Sequence, residues 1–110
     1  MMYNHPHERH LREFEDFLLK IADIFYFYKV GEADLGKTKK RLNFLKPIAK
    51  RKFPDKVEEI EKEIDNAKKI IEKKDKEAYD EYIDYLKKKY PKAIKKLEAE
   101  TKSSLLAFFK

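Results

Sequence analysis

The chain's only histidines, His5, His7 and His10, stand within six residues of one another. A His-x-His-x-x-His spacing offers neutral imidazoles to a divalent metal, and His7 and His10 share a face if the segment is helical. Glu13, one turn further on, adds a carboxylate to that side. Two or three ligands at a chain end make only a weak metal site, and a solvated polar start to a helix is the simpler reading. No histidine follows His10, so the paired Glu-x-x-His motifs of di-iron bundles cannot form. No cofactor is expected.

Other reactive types are sparse. Cysteine is absent, which removes disulfides, thiolate catalysis and cysteine-ligated zinc. The only serines, Ser103 and Ser104, have no histidine near them in sequence. Carboxylate pairs such as Glu58 and Glu59, Glu61 and Asp65, or Asp80 and Asp84 have lysines a turn away or lie on faces that must be wet. That is the pattern of surface ion pairing rather than of acid–base catalysis. The two glycines, Gly31 and Gly36, build no phosphate loop. The chain therefore reads as non-catalytic.

One segment stands apart. Residues 35–54 carry eight cations, Lys37, Lys39, Lys40, Arg41, Lys46, Lys50, Arg51 and Lys52, and no acid, which accounts for more than the whole net charge of +6. Such a run draws phosphates, with an affinity that falls steeply as salt rises. On an ideal helix Lys37, Lys40, Arg41 and Arg51 share a face, and Phe44 and Ile48 fall among them. An aromatic ring among cations can stack on an exposed base. The residues that would carry nucleic-acid binding are thus Lys37, Lys40, Arg41, Phe44, Lys50, Arg51 and Lys52. Six of the eight cations are lysines, which lack the planar fork used to read guanine, so binding should be insensitive to sequence. The competing reading is a solvated helix face whose lysines pair with acids of the preceding helix, such as Glu13, Glu15, Asp16 and Asp23.

The elements that would position these residues are helices. Leu11, Phe14, Phe17, Leu18, Ile21, Ile24, Phe25 and Tyr28 recur every three or four residues, predicting a helix from about His7, after Pro6, to Lys29, with Gly31 as its C-terminal cap. A second apolar line, Leu19, Ala22, Tyr26 and Val30 with Phe27, means that this helix either runs through the centre of the molecule or meets a second subunit. Leu35, Leu42, Leu45, Ala49 and Phe53 mark a second helix, expected to kink or break near Lys46 because of Pro47. Val57, Ile60, Ile64, Ala67 and Ile71 form the seam of a third. Asp75 reads as the N-cap of a fourth, whose stripe is Ala78, Tyr79, Tyr82, Ile83, Leu86 and Tyr90. Tyr79, Tyr82, Tyr85 and Tyr90 serve either as a stacking platform or, more simply, as core-edge packing. Pro91 opens the last helix, running through Ala93, Ile94, Leu97, Thr101, Leu105 and Phe108.

The fold expected is all-α: a compact bundle of four to five antiparallel amphipathic helices, forming a single domain over residues 1–110. Apolar residues make up 42% of the chain and are regularly spaced, so the high charged fraction of 44% does not imply disorder. Abundant lysine and glutamate without glutamine or cysteine predict a thermophilic source. No apolar run approaches the ~20 residues needed to span a bilayer, so no membrane partner is expected and a cytoplasmic location is. The partner expected first is a second copy of the chain, met through Leu19, Tyr26, Phe27, Val30, Leu106 and Phe109, in a non-catalytic interaction or scaffold protein. The alternative partner is nucleic acid, or another anionic molecule, on the basic segment.

Overall fold

The computed structural model describes residues 10–109, with side chains through Glu100. The first helix, α1, spans Phe14–Lys29, and Asp16 fixes where it starts. The Asp16 carboxylate accepts the backbone N–H of Arg12 at 2.9 Å and of Glu13 at 2.8 Å. A side chain three residues into a helix that reaches back in this way occupies donors the first turn leaves free. It also holds Glu13 extended, at φ −126° and ψ 163°, so the helix begins well after the expected His7. Pro6 and His7 lie outside the described residues. At the other end Glu32 N–H bonds Phe27 O and Gly31 N–H bonds Tyr28 O, at 2.9 and 3.2 Å. This double closure needs a left-handed residue, and Gly31 supplies it at φ 83°.

Helix α2 covers Leu35–Lys52, opened by Asp34, whose Oδ1 accepts Lys37 N–H at 2.7 Å. It passes through Pro47 without the expected break. Pro47 is exposed, so the carbonyl it leaves unbonded faces water, while Leu42, Leu45 and Ala49 on the opposite side are buried. Core contacts on both sides of the proline hold the two halves in one helix, against an intrinsic cost of about 3 kcal/mol.

A short 3-10 turn, Pro54–Lys56, leads into α3, Val57–Lys74; a second, Asp75–Glu77, leads into α4, Ala78–Lys89; and α5 follows as Pro91–Phe109. Asp75 is not an N-cap. It sits at φ 51° and ψ −122°, a turn conformation that favours glycine, and its carboxylate accepts the hydroxyl of Tyr28 instead.

Cross-helix pairs give the direction of packing. Lys50 meets Glu61 while Lys39 meets Glu72, so α2 and α3 run antiparallel. Glu63 meets Tyr85 while Lys74 meets Glu81, so α3 and α4 do too. Helix α1 packs against α2, α3, α4 and α5, which places it at the centre. Phe17, Leu18, Leu19, Ile21 and Phe25 on it are fully buried, and Phe25 meets Tyr82 of α4 edge to face at 5.5 Å. Each such side chain contributes roughly 1.5–3 kcal/mol by leaving water. The fold is the expected all-α bundle, and no strand occurs among the described residues. No helix there is long and apolar enough to cross a membrane.

Candidate nucleic-acid interface

Because α2 is continuous, its residues keep one helical phase, and the eight cations of the basic run divide by direction. Lys39 and Lys50 turn toward α3, where they pair with Glu72 and Glu61. Lys46 also faces this side, since its charge adds to the hydrogen bond and charge of Lys50 in holding the Glu61 carboxyl below its ordinary value. Lys50 therefore leaves the expected binding set: its ammonium is committed to a carboxylate of the neighbouring helix. The acids that pair with Lys39 and Lys50, Glu72 and Glu61, belong to α3, where the alternative reading looked to α1. Glu13 and Asp16 of the α1 start pair instead with Lys96 of α5.

Four of the remaining five cations face outward. Lys37, Lys40, Arg51 and Lys52 are exposed and have no ion-pair partner among the described residues. Arg41 is half-buried; its guanidinium lies 6.0 Å from the Phe27 ring, and its Nη1 is buried without a hydrogen-bond partner. At 100° per residue these five, with Phe44 and Ile48, lie within about a third of the helix circumference. Phe44 is 70% exposed and Ile48 46%, the two most exposed large hydrophobics on this helix. From Lys37 to Arg51 the track is about 21 Å long at 1.5 Å per residue.

The C-terminal end of this face opens into a groove of about 640 Å³ between α2 and the segment that enters α1. Leu11 and Ile48 supply its apolar surface, His10, Arg12 and Lys20 line one side, and Arg51 and Lys52 line the other. No carboxylate is among its described lining residues. Sequence reading found Arg51 and Lys52 but missed Arg12 and Lys20, which lie far from the basic run in the chain and join it only through the fold.

The other candidate residues are placed as follows. Leu19 is fully buried and Phe27 nearly so, both inside the single chain, which removes them from any outer interface. Tyr26 and Val30 are exposed, at 36% and 46%. The side chains of Leu106, Phe109, Ser103 and Ser104 lie outside the described residues, as do His5 and His7. His10 is exposed, and no group of three or more metal-ligating side chains occurs among the described residues.

The tyrosines do not form an open platform. Tyr82 is fully buried, and the rings of Tyr82, Tyr85 and Tyr90 follow one another at 5.7 and 6.3 Å. They surround Glu63, which the sequence did not single out and which is 2% exposed. Its Oε2 accepts the hydroxyls of Tyr85 at 2.6 Å and Tyr90 at 2.9 Å. Burial, then these bonds to the carboxylate, push both phenols well above their ordinary range. Glu63 Oε1 and Tyr82 Oη are buried without partners. Glu63 lies three residues after Ile60, on the edge of the Ile60, Ile64, Ala67, Ile71 seam, but its residue type is that of any surface acid.

The fold and this site define a small all-α domain that presents a basic, aromatic-bearing helix face. No protein-family model, no curated protein and no solved structure matches the chain.

Proposed function

We propose that this chain is a non-catalytic binding protein whose α2 face takes up single-stranded nucleic acid without reading its sequence. The observation that carries the reading is Phe44, 70% exposed in the middle of a face whose cations Lys37, Lys40 and Arg51 have no ion-pair partner among the described residues. A base stacked on such a ring gains roughly 1–3 kcal/mol regardless of its identity. Lysines beside it hold phosphates as point charges and discriminate little between bases. A track of about 21 Å accommodates about six stacked nucleotides at ~3.4 Å each. The same charge argues against this face as a contact between two copies of the chain, because it would set like charges against like.

The test is a titration of fluorescent twelve-nucleotide single strands, DNA and RNA of mixed sequence, and of a duplex, at 50 and 200 mM salt. Single strands are expected to bind more tightly than duplex, with little dependence on sequence and a steep loss at the higher salt. Phe44→Ala should weaken single-strand binding by about five- to a hundredfold. Absence of binding at the lower salt, or indifference to both Phe44→Ala and a combined Lys37→Gln, Lys40→Gln, Arg51→Gln change, overturns the reading.

Self-association retains one supporting observation at the opposite end of the hairpin. Tyr26, Val30 and Leu35, around the α1–α2 turn, are all at least a third exposed. Light scattering on dilute protein decides it: a mass above that of one chain, lowered by Val30→Lys, supports the contact, and a monomer removes it.

A further inference from the structure

The groove at the end of the α2 face has a composition that the face itself lacks. Its two arginines come from different elements, Arg12 from the segment before α1 and Arg51 from the last turn of α2. Neither has a carboxylate partner among the described residues, nor do His10 and Lys52. Two planar guanidinium forks lining one groove, with no carboxylate among its described lining residues, favour an oxyanion with several free oxygens. Its volume, about 640 Å³, falls in the range of small-molecule sites, and Leu11 and Ile48 offer apolar surface for a sugar.

We propose that this groove seats the terminal phosphate of a bound strand. The inference rests on the strand-binding reading above and adds a preference for phosphorylated ends. A terminal phosphate carries about −1.5 to −2 charges at pH 7, against −1 for an internal diester, and it exposes three oxygens. A cluster of cations around one concavity discriminates between the two by charge. The end of α2 opposes this with the negative pole of its dipole, roughly half a charge, which Arg51 and Lys52 in that last turn offset. Just beyond α2 the surroundings reverse sign. A smaller groove of about 330 Å³ along residues 54–59 is lined by Asp55, Glu58 and Glu59 against one cation, Lys56, which pairs with Glu59. A strand continuing in that direction would meet carboxylates, whereas one that stops in the basic groove would not.

The experiment compares one twelve-nucleotide single strand bearing a 5′-phosphate, a 3′-phosphate or hydroxyls at both ends, with wild type and Arg12→Gln. Arg12 lies off the α2 face and its side chain has no hydrogen-bond or ion-pair partner among the described residues, and a melting curve of the variant confirms that it folds. Phosphorylation at one end is expected to tighten binding about tenfold. Arg12→Gln should bring that ratio to about one. Equal affinity for all three strands, or a variant that keeps the preference, overturns the proposal while leaving the role of Phe44 intact. If no strand binds, the strand-binding reading falls, and titration with a 5′-mononucleotide followed by the His10 ring proton resonances decides the groove alone. A saturable shift that Arg12→Gln abolishes supports a phosphate seat for free nucleotides, and an unmoved resonance overturns it.

Discussion

Asp16 Oδ1 and Lys96 Nζ meet at 2.7 Å, joining the start of α1 to α5 through a carboxylate that is 5% exposed and an ammonium that is 30% exposed. Burial pushes the Asp16 carboxyl up, but the hydrogen bond from Lys96, the N–H groups of Glu13 and Arg12 and the Lys96 charge more than reverse this. The group ends below its ordinary value of 3.8. A carboxyl depressed in the folded state contributes stability that is complete above the unfolded value and is lost as pH falls through the lower, folded one. Asp16→Asn should therefore cost about 1–2 kcal/mol at pH 7, allowing for the solvent around Lys96. The gap to wild type should stay constant from about pH 5 to 8 and shrink below about pH 4. Urea denaturation across that range measures it, and a gap that persists undiminished to pH 2 would contradict the pairing.

The split of the basic run by direction has its own consequence. Each cation that neutralises a phosphate of a single strand contributes about 0.7 to the slope of log affinity against log salt. Arg51→Gln and Lys52→Gln should each lower that slope by about this amount. Lys50→Gln should leave it alone, because its ammonium is already engaged by Glu61. Titrations of wild type and the three variants over the same salt series suffice, and an equal loss of slope for Lys50→Gln would show that the face is wider than α2's outward residues.

Pro47 marks where packing prevails over local preference. Its ring lies on the exposed side of α2, and the residues on both sides that hold the helix down, Leu45 and Ala49, are buried. Pro47→Ala should restore a backbone bond to the carbonyl of Asn43. It should stabilise the chain by about 2 kcal/mol, after subtracting what proline gains by stiffening the unfolded chain. The melting midpoint should rise by about 10 °C, with single-strand binding kept because Phe44 and Ile48 keep their phase. A lower midpoint would mean that the helix is bent to suit the proline.

These cases also show what a sequence discloses. The Ile60, Ile64, Ala67, Ile71 seam and the glycine cap at Gly31 were legible because each depends on spacing or on one residue's conformational range. Asp16 and Glu63 were not. Their identity is that of any surface acid, and only the packing of α5 on one and of the α4 tyrosines around the other makes them interior. In the same way Lys50 and Arg51 are alike in sequence and differ by 100° of helix rotation, which directs one at Glu61 and the other into the groove. Arg12 and Lys20 could not be joined to the basic run before the relation of α1 to α2 was known.

Asp75 shows a similar override within a single turn. Its φ of 51° and ψ of −122° suit glycine, and an L-residue there carries strain of order 1–3 kcal/mol. What holds it is Tyr28, whose hydroxyl donates to the Asp75 carboxylate, while Lys76 donates to the Tyr28 carbonyl at 2.7 Å with its ammonium 3.9 Å from the Tyr28 ring. Asp75→Gly relieves the backbone but strands the Tyr28 hydroxyl, so in the wild-type background the two effects should nearly cancel. In a Tyr28→Phe background no bond remains to be lost, and Asp75→Gly should stabilise the chain by about 1 kcal/mol or more. A double-mutant cycle by chemical denaturation isolates the difference, with a coupling of about 1–2 kcal/mol expected between the two positions. Additive effects would mean that Asp75 is placed by the turn alone and that Tyr28 has no part in holding it there.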